Sequence, residues 1–169
     1  VVTVNGVSKA FAMTGWRLGY IGAPEWIAKA CTKIQGQFTS GASSISQRAA
    51  LAAVSADPSV VSEMKDAFLE RRNFIIDKLR AISGIKINQP EGAFYVFPDV
   101  SEFFGKFFGD RKIENSNDLC LYLLEEAKVA LVTGNAFGSP ACLRISYAAS
   151  MDELTEAMVR ISAALNKLS

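Results

Sequence analysis

One long amphipathic segment in the middle of the chain constrains the fold more than any other feature. Asp57-Pro58 opens it, a capping carboxylate followed by a ring preset to helical φ. From there to Ser83 the apolar residues Val61, Met64, Phe68, Ile75, Leu79 and Ile82 recur at spacings of three, four or seven. That spacing lays them along one face of an α-helix, and Gly84 ends it. At 1.5 Å per residue the helix is expected to be roughly 40 Å long. A helix of that length can belong to two domains at once.

The two sides of this helix differ in character. Before it, the β-branched run 1–4 reads as a buried strand. Residues 24–33 read as a short helix started by Pro24, with Trp26, Ile27 and Ala30 on one side. The Ser- and Gly-rich stretch 39–46 reads as a loop, and Ser44 with Gln47 has capping-box spacing for a helix ending near Ala56. After Gly84, residues 85–87 and 93–97 read as strands, and 103–110 as an irregular, aromatic insertion. Asn115-Ser116 caps a helix to about Ala127, and strands follow at 129–132 and 143–147. Ser150 with Glu153 forms a capping box for a last helix with Leu154, Met158, Ile161 and Leu165 on one face. The order strand, strand, helix, strand, strand, helix implies an α+β layer, a sheet with helices on one face. The whole is expected to be of the α/β class, with a smaller α+β domain at its C-terminal end.

Several functions are excluded early. The 169 residues contain no histidine, which rules out Ser-His-Asp and Cys-His catalysis within the chain. Three cysteines without histidine give no ligand set for zinc, so no metal is expected. Cys31, Cys120 and Cys142 form no CxxC pair and are odd in number. They read as small buried apolar residues in a reducing, cytoplasmic setting. A net charge of +1 argues against nucleic-acid or membrane-surface binding by bulk charge. No apolar run reaches the roughly 20 residues that span a bilayer. The chain opens on Val1 inside a strand-like run, with no basic segment and apolar core of a secretory signal. It reads as a piece of a longer polypeptide.

Chemistry concentrates in the run from Gly6 to Tyr20. Lys9 follows Ser8, and Arg17 comes eight positions later between Gly15 and Gly19. An amine that forms a Schiff base must sit where its charged form is disfavoured. Val7, Ala10, Phe11, Ala12 and Met13 are apolar enough to provide that setting. An aldehyde cofactor carrying a phosphate needs a cation off the reacting atom, and a guanidinium suits phosphate oxygens. Ser8 adds a hydroxyl near that phosphate, and the glycines permit a tight turn.

Arg144 is the second candidate, a charge set among the apolar strand residues of 141–147. It either holds a ligand carboxylate with both guanidinium arms or faces solvent beside Ser146. The aromatics of Gly92-Ala93-Phe94-Tyr95 read as core rather than pocket lining. The glycines of the 134–138 loop need do no more than permit turn geometry. Glu70-Arg71-Arg72 reads as the wet face of the long helix.

The motif Ser8-Lys9…Gly15-x-Arg17-x-Gly19 resembles that of the class I, fold type I, pyridoxal-phosphate aminotransferases. The Ser/Ala-rich segment 40–44, the long helix, the Gly-Ala-Phe-Tyr run, the Gly-x-x-Phe-Gly loop and the Arg-Ile-Ser strand follow in that family's order. Ala-Met-Thr-Gly-Trp-Arg-Leu-Gly is most like the aspartate/prephenate branch. The resemblance implies the C-terminal portion of the pyridoxal-phosphate-dependent transferase fold: the end of the large domain (residues 1–75), then the small domain (residues 76–169). It implies pyridoxal 5'-phosphate held by Lys9 as a Schiff base, with Lys9 also moving the substrate proton. Arg17 and Ser8 would bind the phosphate, and Arg144 the substrate α-carboxylate. The substrates would be an amino acid, aspartate or glutamate, and a 2-oxo acid. A homodimer is implied too, with Ser40 and Ser43 facing the partner's site.

Two departures are evident. The family's pyridinium-binding aspartate and phosphate loop are not in this sequence, so these residues alone are expected to be inactive. Thr133 stands where relatives often have proline. A lyase or decarboxylase of the same fold, or a non-catalytic dimerisation module, remains the alternative.

Overall fold

In a computed structural model, which describes residues 1–169, the chain divides into two units, Val1–Met64 and Lys65–Ser169. The first unit opens with strand β1 (Thr3–Gly6), which pairs antiparallel with β2 (Gly19–Gly22). The pairing runs from Thr3 opposite Gly22 to Gly6 opposite Gly19. The buried strand expected at 1–4 is therefore shifted and exposed, because neither face of this hairpin is covered within the unit. The strand at 19–22 was not foreseen, since Gly19 read as a turn residue.

Helix α1 (Glu25–Phe38) is longer than expected, with Pro24 just outside its first turn. Helix α2 (Ser44–Ser55) starts one residue after Ser43. The capping box expected of Ser44 and Gln47 is not made. Gln47 Nε2 instead donates to Ala42 O at 2.9 Å. Trp26, Ile34, Phe38, Ile45 and Leu51 are all exposed, and only Val7, Ser46 and Ala50 are buried in this unit.

Asp57 accepts from Ser59 N at 2.8 Å, and Pro58–Val61 makes a 3-10 turn. The turn runs directly into helix α3 (Ser62–Arg80), and Gly84 follows with a left-handed φ of 90°. The boundary between the units falls inside the first turn of α3. Its C-terminal half buries Ile75, Ile76 and Leu79.

The second unit holds the hydrophobic core. Strand β3 (Tyr95–Val96) comes first, then the short hairpin β4 (Phe107–Phe108) and β5 (Arg111–Lys112). Helix α4 (Ser116–Glu126), strands β6 (Val132–Thr133) and β7 (Leu143–Ser146), and helix α5 (Met151–Leu165) complete it. The sheet is three-stranded and antiparallel, in the order β3-β7-β6. Residues 85–87 contribute only a bridge from Lys86 to Asp99. The irregular insertion expected at 103–110 contains half of the β4–β5 hairpin. Its Phe107 exchanges main-chain hydrogen bonds with Ser169 at 2.8 and 3.1 Å.

Local signals set the helix ends. Asn115 accepts from Asn117 N and Asp118 N, and Ser150 with Glu153 completes its capping box. Leu154, Met158, Ile161 and Leu165 of α5 are buried, as the spacing requires. Tyr122, fully buried, donates its hydroxyl to Ala164 O at 2.8 Å and joins α4 to α5. Arg71 and Arg72 are half-buried rather than simply wet. Arg71 lies over the Phe68 ring at 5.5 Å, and Arg72 Nη1 donates to Pro90 O at 3.1 Å. The cysteines depart from the expected burial. Cys31 is exposed on α1, while Cys120 and Cys142 are half-buried. Burial pushes the Cys120 thiol up to about 11.

Candidate functional site

Lys9 and Arg17 lie on one connection between two paired strands. Because Gly6 stands opposite Gly19, the connection 7–18 closes on itself. It begins with Val7, the one fully buried residue of the run. A tight turn follows, in which Phe11 N donates to Val7 O at 3.4 Å and Ala12 N to Lys9 O at 3.2 Å. Thr14–Trp16 then forms a 3-10 turn, and Arg17 ends it.

The strain of this connection sits on unexpected residues. Gly15 and Gly19 do not take the left-handed region, but Ala12 (φ 54°) and Arg17 (φ 51°, ψ 51°) do. Each such residue costs roughly 1–2 kcal/mol. Backbone strain of this kind is characteristic of functional loops. Arg17 also donates from Nη1 to Thr14 O at 3.0 Å, a bond that fixes its side chain against its own turn. The apolar shielding expected around the Lys9 amine is only partly present. Phe11 and Met13 are half-buried, but Ala10, Ala12 and Lys9 itself are exposed. Ser8 is half-buried beside it. Ser40, with φ 62°, and Ser43 are exposed, and the Ser43 side chain caps nothing.

In the second unit, Arg144 occupies the open face of β7. Its neighbours Leu143 and Ile145 point into the core, and Ser146 shares its outward face. Register places Tyr95 opposite Ser146 and Val132 opposite Arg144. Tyr95 and Arg144 are thus diagonal neighbours on one face, within reach of long side chains. The Arg144 guanidinium carbon lies 5.6 Å from the centre of the Tyr95 ring and 4.8 Å from that of Phe137.

Neither ring was singled out as functional from the sequence, and Tyr95 is exposed rather than core. The signal that could have found them is the pairing register together with the turn carrying Phe137. That turn, Gly134–Phe137, is tightly held. Gly134 N donates to Cys142 O at 2.8 Å, and Ser139 N to Gly134 O at 3.0 Å. A Cβ on Gly134 would stand 2.1 Å from Ser139 O, so this glycine is needed for close approach and not only for turning. Thr133 accepts from Asn135 N at 3.3 Å and shares a 2.8 Å hydroxyl contact with Ser116, bonds that a proline could not make.

The donor set on 8–17 can do specific chemistry. A primary amine can condense with an aldehyde, while a guanidinium and a hydroxyl can hold a phosphate. Arg144 can receive a planar carboxylate. No cluster of three or more Cys, Asp or Glu side chains is arranged as a metal site, and no helix is long and apolar enough to cross a membrane.

A strained strand–loop–strand carrying lysine and arginine, ahead of an α+β unit with a strand arginine, has known counterparts. Residues 1–161 match the family model described as aminotransferase class I and II, and the chain belongs to that family. It is 54% identical over 168 residues to the bifunctional aspartate aminotransferase and glutamate/aspartate-prephenate aminotransferase of Petunia hybrida, covering 97% of this chain and 35% of that protein. The aspartate aminotransferase of Pinus pinaster is 51% identical, over 97% of this chain and 34% of its own length. The crystal structure of the Rhizobium meliloti aspartate aminotransferase superposes with a TM-score of 0.96 at 47% identity, covering 99% of this chain and 42% of that one. The fold is therefore the C-terminal part of the aminotransferase fold. The chain spans between a third and a half of the length of the relatives it matches.

Proposed function

We propose that the complete protein containing this chain is a pyridoxal-phosphate-dependent aminotransferase. It would move an amino group from aspartate or glutamate to a 2-oxo acid by a two-step ping-pong route. The observation that carries the reading is the strained 7–18 connection bearing Lys9 and Arg17. The relatives' printed names support the donor.

The residues present fit the cofactor. Lys9 Nζ is the amine for its aldehyde carbon, and Arg17 with Ser8 supplies donors for its phosphate. When bound, pyridoxal phosphate supplies an electron sink for the charge left at the substrate Cα. Lys9 Nζ takes the proton from that Cα. Arg144 binds the α-carboxylate with paired N–H donors and so orients the Cα–H bond.

Residues 1–75 would belong to the large domain and 76–169 to the small one. The exposed apolar side chains of the first unit would be covered by the rest of the large domain and by a second subunit. Ser40 and Ser43 would then face the partner's site. A cytoplasmic setting fits the unpaired cysteines. The isolated 169 residues would be inactive, because no group here holds the pyridine nitrogen. The test is turnover of aspartate with a 2-oxo acid by the complete protein and by its Lys9→Ala variant. Loss of turnover in the variant is expected. Unchanged turnover would overturn the assignment.

A further inference from the structure

We propose that Tyr95 and Phe137 are positioning residues for Arg144, holding its guanidinium for a substrate carboxylate. This rests on the carboxylate-binding role given to Arg144 above. An arginine on an open sheet face samples many rotamers, and binding a ligand with both arms costs that freedom. Two rings within 6 Å of the guanidinium remove much of it beforehand, since each attracts the cation through its π face.

The arrangement is built rather than incidental. The two rings come from different elements, Tyr95 from β3 and Phe137 from the turn before β7. The sheet register fixes the first. The second is fixed by the Gly134–Cys142 and Ser139–Gly134 bonds and by Phe97, which packs edge-on against Phe137 at 5.9 Å. Tyr95 is 38% exposed and Phe137 50%, so each ring is only partly buried. Within the unit Arg144 forms no ion pair, as the carboxylates there pair with other cations or with none. The rings hold the guanidinium while leaving its N–H groups without a protein carboxylate. An anion that accepts two parallel N–H bonds, a carboxylate, is the ligand such a group suits.

The test uses KM for the amino acid and kcat in the complete protein. Tyr95→Leu and Phe137→Leu are each expected to raise KM about two- to fivefold with kcat nearly held, as expected for an exposed cation–π contact. Tyr95→Phe and Phe137→Tyr keep a ring and are expected to keep KM. In an Arg144→Gln background the leucine substitutions are expected to add no further loss, a result that a purely structural role would not give. If Arg144→Gln leaves KM unchanged, the carboxylate role fails and this inference with it. If Arg144→Gln raises KM but the leucine variants do not, the carboxylate role stands and the positioning role is overturned. The same holds if the leucine variants cost the same factor without Arg144. The two leucine variants are read separately, so one that fails to fold leaves the other to decide.

Discussion

Adding one methyl group at Gly134 should break the turn that presents Phe137. An alanine Cβ there would stand 2.1 Å from Ser139 O and 2.4 Å from Cys142 O. Both are main-chain atoms, so neither can swing aside as a flexible side chain would. Relief requires the turn to move away from residues 139–142. That movement breaks two bonds, Gly134 N to Cys142 O at 2.8 Å and Ser139 N to Gly134 O at 3.0 Å. At about 1 kcal/mol each, the bonds account for about 2 kcal/mol. Residual crowding adds about 1 kcal/mol more. Gly134→Ala is therefore expected to destabilise the second unit by about 3 kcal/mol. Urea unfolding of the complete protein, followed by a probe in this unit, measures it. A lower midpoint with an unchanged slope is expected. A change within about 0.5 kcal/mol, the range of ordinary surface substitutions, would refute the reasoning.

Other substitutions test the packing and the caps. Tyr122→Phe removes the buried donor to Ala164 O and is expected to cost about 1–3 kcal/mol, read by thermal or urea unfolding. Ser150→Ala removes the cap on Glu153 N and is expected to cost about 1 kcal/mol, by the same measurement. The Ser150 N–H and then its hydroxyl, both bonded to Glu153, hold that carboxyl below its ordinary 4.5. A depressed folded value means the contribution is present above 4.5 and lost as pH falls through the lower folded value. Glu153→Gln is expected to flatten that acid limb of a midpoint-against-pH curve. An unchanged limb would contradict the capping account.

How legible the molecule was depended on how local each determinant is. The caps of α4 and α5 lie within three residues of the side chains that make them, and Asn115, Ser150 and Glu153 announce them. The apolar face of α5 follows from spacing alone. The β4–β5 hairpin left no such trace. Its strands are two residues long, and one partner of Phe107 is Ser169, at the far end of the chain. The run 1–4 shows the limit of composition. β-branched residues announce a strand, but exposure depends on what packs over it, and nothing in this unit does. Ser44 and Gln47 had the right spacing for a capping box, yet the helix began one residue earlier than the box requires, with Ser43 at its N-cap. At the candidate site, Lys9, Arg17 and Arg144 were singled out from residue type and order. The rings beside Arg144 were not, because one depends on sheet register and the other on the close approach at Gly134.

The central claim is that Lys9 Nζ is the amine that holds the cofactor. The most direct test is to treat the complete protein with pyridoxal phosphate, reduce it with borohydride, digest it and map the pyridoxyl label. The account predicts the label on the peptide carrying Lys9 and on no other lysine of the chain. A label on a different lysine, with the Lys9 peptide unmodified, would contradict it.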